Sequence, residues 1–351
     1  SDGVETIVSD ALKASLKNPK ETAFLLQYAL HAKRAESARK NHAKAGRHVP
    51  SFLIASITSR CNLHCAGCYA RANSICHDGA DDNLLSDAEW DSIFVQAKEI
   101  GVSFVLLAGG EPMLRRGVME RASSHPEILF PIFTNGTLLG EKTLELLDSH
   151  RNLIPIISVE GSQEQTDARR GAGTYQKLLE TMTALQNRGV FFGASVTVTS
   201  ENLRFVTSDA FLNDLRTRGC KIAFYVEYVP ADSGTESLAP GDNERVYLTS
   251  RLDELRARPD AMVYVAFPGD EQYAGGCMAA GRGFFHINPH GGAEPCPFSP
   301  VSDTSLKDVS LLEALDSPLF VRLRSSELLA EHHDGACALF GREDEVRGMI
   351  G

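Results

Sequence analysis

Phe52-Leu53-Ile54-Ala55-Ser56-Ile57-Thr58-Ser59-Arg60-Cys61-Asn62-Leu63-His64-Cys65-Ala66-Gly67-Cys68-Tyr69 is an apolar run that breaks into a cysteine-rich loop. The run over 52–58, bounded by polar residues, reads as a buried strand. Cys61, Cys65 and Cys68, spaced by four and three residues, can converge on one face of the loop that follows. Three thiolates do not complete a four-cysteine site, so one metal position stays open, whereas structural zinc normally has four protein ligands. His64 is a candidate fourth ligand or a residue outside the ligand set. An iron–sulfur cluster with one open iron suits the thiolate count and softness better.

Moving outward, the hydrophobic period alternates between helix and strand. Ser86 and Glu89 form a capping box for a helix over 86–99. Strands are expected at 104–108, 128–133, 154–159, 190–198 and 221–228, separated by helices at 115–124, 141–149, 174–188 and 207–218. These are six βα-type units without a dinucleotide fingerprint. They predict an α/β chain whose residues 49–230 form a partial (βα)6 TIM-like barrel. Chemistry in such barrels sits at the C-terminal strand ends. The cysteine loop, Gly109-Gly110-Glu111-Pro112 and Thr134-Asn135-Gly136 all fall there.

Residues 231–260 read as a polar connector with a helix over 243–257. Residues 261–351 read as a small C-terminal α+β module, with hairpin strands at 262–265, 284–288 and 293–297, a turn at 289–292 and a helix at 309–323. Residues 1–48 read as helical, with Ala23, Leu26, Leu30 and Ala32 near one face that packs on the main domain. The basic stretch 33–47 leaves a membrane-surface role open.

Of the 351 residues, 43% are hydrophobic and 23% charged, which suits a soluble globular protein. A formal charge of −11 argues against a broad nucleic-acid-binding surface. The longest apolar runs are strand-sized, so no transmembrane segment is expected. Without a signal-peptide layout at the N-terminus, the expected location is cytoplasmic. Eight cysteines in such a compartment argue for metal rather than disulfides. Cys277, Cys296 and Cys337 form a second group, and Cys76 and Cys220 stand apart.

Cys-x3-Cys-x2-Cys after the first barrel strand, in register with Gly109-Gly110-Glu111-Pro112 after the second, resembles the radical S-adenosylmethionine (radical SAM) superfamily. The resemblance implies a [4Fe–4S] cluster on Cys61, Cys65 and Cys68 whose open iron is chelated by S-adenosylmethionine. Its reduction would release a deoxyadenosyl radical. It also implies that Glu111 and the carbonyls around Gly109 and Gly110 receive the methionine ammonium. Asn135 would lie on the ribose side, Ser158 would contact S-adenosylmethionine, Arg170 would pair with the methionine carboxylate, and Tyr69 would lie near the adenine. The bland alternatives are a strand-to-helix turn for Gly-Gly-Glu-Pro, a turn pair for Asn-Gly, and a surface charge for Arg170.

Gly276-Cys277-x13-Gly291-x4-Cys296 resembles the SPASM or shorter twitch module, which implies an auxiliary [4Fe–4S] cluster. The third cysteine, Cys337, stands in Cys-x-x-Phe340 where a four-cysteine module has Cys-x-x-Cys. The fourth position is therefore open or taken by another residue, with His332, His333, Cys220 and Cys76 as candidates and zinc as the competing metal. Glu227 and Tyr228 end the sixth strand, where alternation lets one of the two face the interior as a catalytic or substrate contact.

Peptide maturases of the family often carry an N-terminal peptide-binding domain, and residues 1–48 read as too short for one. The expected substrate is therefore a small or lipid-like molecule, with a peptide as the alternative, and the expected reductant is a flavodoxin or ferredoxin. A reading of another class is a non-enzymatic electron carrier or zinc-stapled binding protein. In that case Glu111, Ser158 and Arg170 would share no task.

Overall fold

The computed structural model describes residues 18–259, 262–329 and 337–350. Its strands are β1 (Phe52–Ser56), β2 (Phe104–Ala108), β3 (Phe130–Thr134), β4 (Leu153–Ser158), β5 (Gly193–Val198), β6 (Ile222–Glu227), β7 (Val263–Phe267), β8 (His286–Ile287) and β9 (Ala293–Glu294). They form one 9-stranded sheet in the order β7-β6-β5-β4-β3-β2-β1-β8-β9. Every pairing from β1 to β7 is parallel, and β8 adds in parallel to the other edge of β1. The crossovers carry helices with local stop and start signals. Ser86 and Ser162 close capping boxes on Asp87–Ile100 and Gln163–Arg170.

Period-2 alternation splits the strand residues between two apolar clusters. Leu53, Ala55, Val105, Leu107, Ala194, Val196 and Tyr225 belong to the large core shared with the helices. Ile154, Ile156, Ile222 and Val263 form a second cluster with Phe133, Phe224 and Val265, closed by Phe24 and Leu25 of the helix Pro19–Lys44. That helix lies across the N-terminal strand ends. Tyr28 Oη donates to Ser103 O at 2.6 Å, ahead of β2, and Asn18 Nδ2 donates to Gly189 O at 2.6 Å, ahead of β5. Glu21 Oε1 accepts from Arg151 Nη1 at 2.5 Å, ahead of β4, and from Phe191 N at 3.1 Å. The helix thus covers the N-terminal ends of β2, β4 and β5.

Two expectations change. Ala23, Leu26 and Leu30 are exposed, while Glu21, Leu25 and Tyr28 are buried, so the helix packs through a different face. Polar partners at the barrel floor outweigh simple apolar periodicity there. Residues 231–260 are also more than a connector. The helix Asp242–Arg256 leads into β7, which pairs in parallel with β6 as a seventh strand of the barrel sheet rather than a hairpin of the C-terminal module.

The C-terminal segment docks on β1 through a buried polar chain. Ser56 Oγ lies 2.7 Å from His286 Nε2, and His286 Nδ1 lies 2.6 Å from Glu294 Oε2. Asn288 Nδ2 donates to Glu294 Oε1 at 2.7 Å. Phe285 packs edge-on to Phe320 of the helix Pro318–Ser325. Among the described residues, no helix is long and apolar enough to cross a membrane.

Candidate active site and cysteine clusters

The cysteine loop leaves β1 at the C-terminal end of the sheet, against the next strand's glycines. Gly110 N donates to Thr58 O at 2.9 Å and Glu111 N to Arg60 O at 2.8 Å. A Cβ on Gly109, at φ +127, would meet Thr58 O at 2.4 Å, and one on Gly110 would meet Arg60 O at 2.0 Å. Glycine is therefore required at both positions for the backbones to approach. The motif fixes where Cys61 begins.

Within the loop, Arg71 donates to Leu63 O at 2.9 Å and to Asp78 Oδ1 at 3.0 Å. His64 turns outward to Asp78 Oδ2 at 2.9 Å and is exposed, so it does not stand as a fourth ligand. Cys76, expected to stand alone or to join the second cluster, is hydrogen-bonded to Cys61. That hydrogen bond, helped by Leu63 N–H and the Arg71 charge, brings the Cys61 thiol below its ordinary value against the effect of burial. Cys65 moves the other way. Burial raises its thiol, and the Arg170 and Arg169 charges partly offset the rise.

Glu111 is buried, with a fixed carboxylate. It accepts from Thr134 Oγ1 at 2.6 Å, Asn135 N at 2.7 Å and Met113 N at 3.0 Å. Burial pushes it up to about 7 in spite of these donors. Glu111 thus holds the end of β3, while Gly109 and Gly110 are less buried. Asn135 Nδ2 in turn donates to Asn62 Oδ1 at 2.9 Å and lies 3.9 Å from Cys61 Sγ. Ser158 ends β4, half-buried, in register with Ser195 of β5.

Arg170 ends the helix Gln163–Arg170 and is no loose surface charge. Its Nε and Nη2 donate to Glu160 Oε1 at 2.8 and 2.5 Å, and its Nη1 lies 3.9 Å from Cys65 Sγ. Arg169 Nη1 donates to the same oxygen at 2.6 Å, and its backbone O accepts from Ala66 N at 2.8 Å. Glu160 escaped the sequence reading, although it lies two residues after Ser158. Burial would raise its carboxyl, but the Arg169 and Arg170 charges and hydrogen bonds bring it below the usual range. Its Oε2 is buried with no partner among the described residues.

The pleat separates Glu227 from Tyr228. Glu227 accepts from Arg245 of the helix Asp242–Arg256 at 2.7 Å and faces the helix layer, so of the two candidates Tyr228 is the one turned toward the cysteine loop. Tyr228 packs on the cysteine loop: a Cβ on Gly67 would lie 2.4 Å from its Oη. That hydroxyl is buried with no partner among the described residues. Tyr69 turns toward the C-terminal segment instead, its ring centroid 4.9 Å from that of Phe298. Burial raises its hydroxyl, and Cys68 and Cys296 raise it further, which places the ring between the two cysteine groups.

In the second group, Cys277 and Cys296 are buried. Cys337 is hydrogen-bonded to Cys296 and feels the charge of Glu271. Glu271, also missed, is buried and hydrogen-bonded to Cys277, and burial pushes its carboxyl up to about 7. Cys220 lies in the core with its thiol donating to Ile222 O at 3.1 Å, and His332 and His333 lie outside the described residues. Among the described residues, no three His, Cys, Asp or Glu side chains already close around a single ion. The donor chemistry of both groups nonetheless suits iron–sulfur clusters, whose thiolates stand further apart than those around one ion.

Residues 55–206 match the family model described as the Radical SAM superfamily. The chain is 25% identical over 311 residues to the AdoMet-dependent heme synthase of Methanosarcina barkeri, covering 80% of this chain and 87% of that protein. It is 27% identical over 296 residues to the PqqA peptide cyclase of Gluconobacter oxydans, covering 80% and 81%. In fold it is similar to the crystal structure of Streptococcus suis SuiB bound to S-adenosylmethionine. The TM-score is 0.69 at 18% identity, over 89% of this chain and 78% of that one.

Proposed function

The chain belongs to the radical SAM superfamily through its domain at residues 55–206, and on that premise we propose that it cleaves S-adenosylmethionine reductively to modify a peptide. The observation that carries the chemistry is the clamped loop. Three cysteines stand beside Arg170, and the loop's path is set by Gly109 and Gly110 on one side and Arg169 on the other. Cys61, Cys65 and Cys68 would hold the family's [4Fe–4S] cluster, which with S-adenosylmethionine supplies the electron and the deoxyadenosyl radical. Arg170, steadied by Glu160, would present its remaining N–H groups to the methionine carboxylate. Asn135 and Ser158 would line the nucleoside side, and Tyr228 would offer its partnerless hydroxyl. Glu111 would act by holding the β3 end rather than by moving a proton.

The peptide reading is supported by similarity to the PqqA peptide cyclase over most of both chains. Similarity to the heme synthase, over a still larger share of that relative, favours the small-molecule reading as the second. A cytoplasmic site and a flavodoxin- or ferredoxin-type reductant belong to the same proposal. A second cluster on Cys277, Cys296 and Cys337, in a SPASM- or twitch-like module, completes it.

The test is anaerobic reconstitution with iron and sulfide, followed by assay of deoxyadenosine with a strong reductant. Deoxyadenosine formation is expected, and it should rise when extract of the source cells is added. Loss of that rise after protease treatment of the extract supports a peptide, whereas its survival supports a small molecule. No deoxyadenosine with or without extract, at full iron loading, would leave the electron-carrier reading standing.

A further inference from the structure

The three C-terminal cysteines share a local geometry. Phe298 N donates to Cys296 Sγ at 3.3 Å, two residues on. Cys277 receives the N–H of Ala279, and Cys337 those of Leu339 and Phe340. Cys61 is treated the same way by Leu63 N, at 3.5 Å. A backbone N–H aimed at sulfur favours the thiolate, which is the form that binds metal. Burial nonetheless raises the Cys277 and Cys296 thiols, so what marks the group is that its three sulfurs lie close enough to act on one another, and they are only three.

A fourth donor stands among them. Glu271 lies in the short turn Gly269–Ala274, and Gly276 N donates to its backbone O at 3.2 Å. This places its side chain under the loop that begins at Cys277. The carboxylate is 2% exposed, accepts from Met278 N at 3.1 Å, and is hydrogen-bonded to the Cys277 side chain. Its charge acts on Cys337 as well. Arg282 braces the same loop, donating to Cys277 O at 2.8 Å, Leu329 O at 2.7 Å and Gly275 O at 3.1 Å. A carboxylate buried against thiols has a high desolvation cost, which coordination to a cation would offset.

We propose that Glu271 is the fourth protein ligand of the auxiliary iron–sulfur cluster held by Cys277, Cys296 and Cys337. It fills the position for which Cys337-x-x-Phe340 offers no second thiolate. On assembly the three thiols and the carboxyl release their protons to solvent, and one carboxylate oxygen donates an electron pair to an iron. The proposal rests on the reading that the C-terminal segment holds such a cluster.

The test isolates that site in the full chain by substituting Cys61→Ala, Cys65→Ala and Cys68→Ala together, then reconstituting with iron and sulfide. About four irons per chain are expected, with one iron distinct from three in the Mössbauer spectrum. Adding Glu271→Gln should release the distinct iron, leaving about three, with the far-ultraviolet circular dichroism unchanged. Adding Glu271→Cys instead should keep about four and make the distinct iron resemble the others. Four irons and an unchanged spectrum in Glu271→Gln, or failure of Glu271→Cys to retain the iron, would overturn the ligand assignment alone. Zinc or no metal in the parent triple variant would sink the auxiliary-cluster reading and the ligand assignment with it.

Discussion

The two cysteine groups of this chain are built on opposite plans. The first lies within one short loop at the mouth of the sheet, and its sulfurs are positioned by polar partners from elsewhere, namely Asn135, Arg170 and Cys76. The second is drawn from three separate segments and has its first two cysteines buried. A loop that must admit a ligand needs an open side and charges that can serve that ligand. A site meant to be filled by protein alone needs the reverse. On the proposed function, the difference suits exchange with S-adenosylmethionine at the first group and closure at the second.

Cys65→Ala gives the largest contrast. Deoxyadenosine formation should disappear, while about half of the reconstituted iron remains on the second group. If iron falls to zero, the two groups are not independent. Arg170→Ala follows. Losing a hydrogen bond to a charged group costs about 1.5–3 kcal/mol, so S-adenosylmethionine should bind about tenfold to a hundredfold more weakly. Iron content should hold. Arg170→Lys should recover little, because an ammonium cannot span Glu160 and a carboxylate as a planar fork does. Loss of iron in Arg170→Ala would make the arginine a support for Cys65 instead.

Glu160→Gln acts on the same scaffold through pH. The Glu160 carboxyl is depressed in the folded chain, so its contribution to stability is present above the unfolded carboxyl pKa. That contribution is lost as pH falls through the lower, folded value. Glu160→Gln should therefore flatten the acid side of the stability curve, below about pH 4, and destabilise at neutral pH. Chemical denaturation across that range measures it. An acid limb as steep as that of the unsubstituted chain would show that the pair with Arg169 and Arg170 adds nothing net.

The sequence made the first group legible because loop, spacing and strand end are all local in the chain. It made the parallel sheet legible through period-2 apolar runs, but not the pairing of its seventh strand, which the sequence offers at 262–265 only as part of a hairpin. Val263–Phe267 is reached by a polar crossover that has few apolar landmarks. Glu160, Glu271 and Cys76 were illegible for one common reason: each takes its meaning from a partner brought in by the fold. Glu271 becomes informative once the turn places it under Cys277, and Cys76 once the loop returns it to Cys61. The first helix failed in the same way. Its buried face is chosen by Arg151, Phe191 and Ser103, which no periodicity within the helix records.

The smallest expected effect is also the one that probes the open side most directly. Tyr228 packs on Gly67 with a buried hydroxyl that lacks a partner among the described residues. Keeping such a group dry costs about 1–3 kcal/mol. Tyr228→Phe should therefore raise the melting temperature of the protein without S-adenosylmethionine. If the hydroxyl meets bound S-adenosylmethionine, the same substitution should weaken its binding by the value of one neutral hydrogen bond, about 0.5–1.5 kcal/mol, or a few-fold. The two effects have opposite signs, so a general loosening of the loop cannot imitate the pair. Raised stability with unchanged affinity would leave Tyr228 as a packing residue that fills the space beside Gly67.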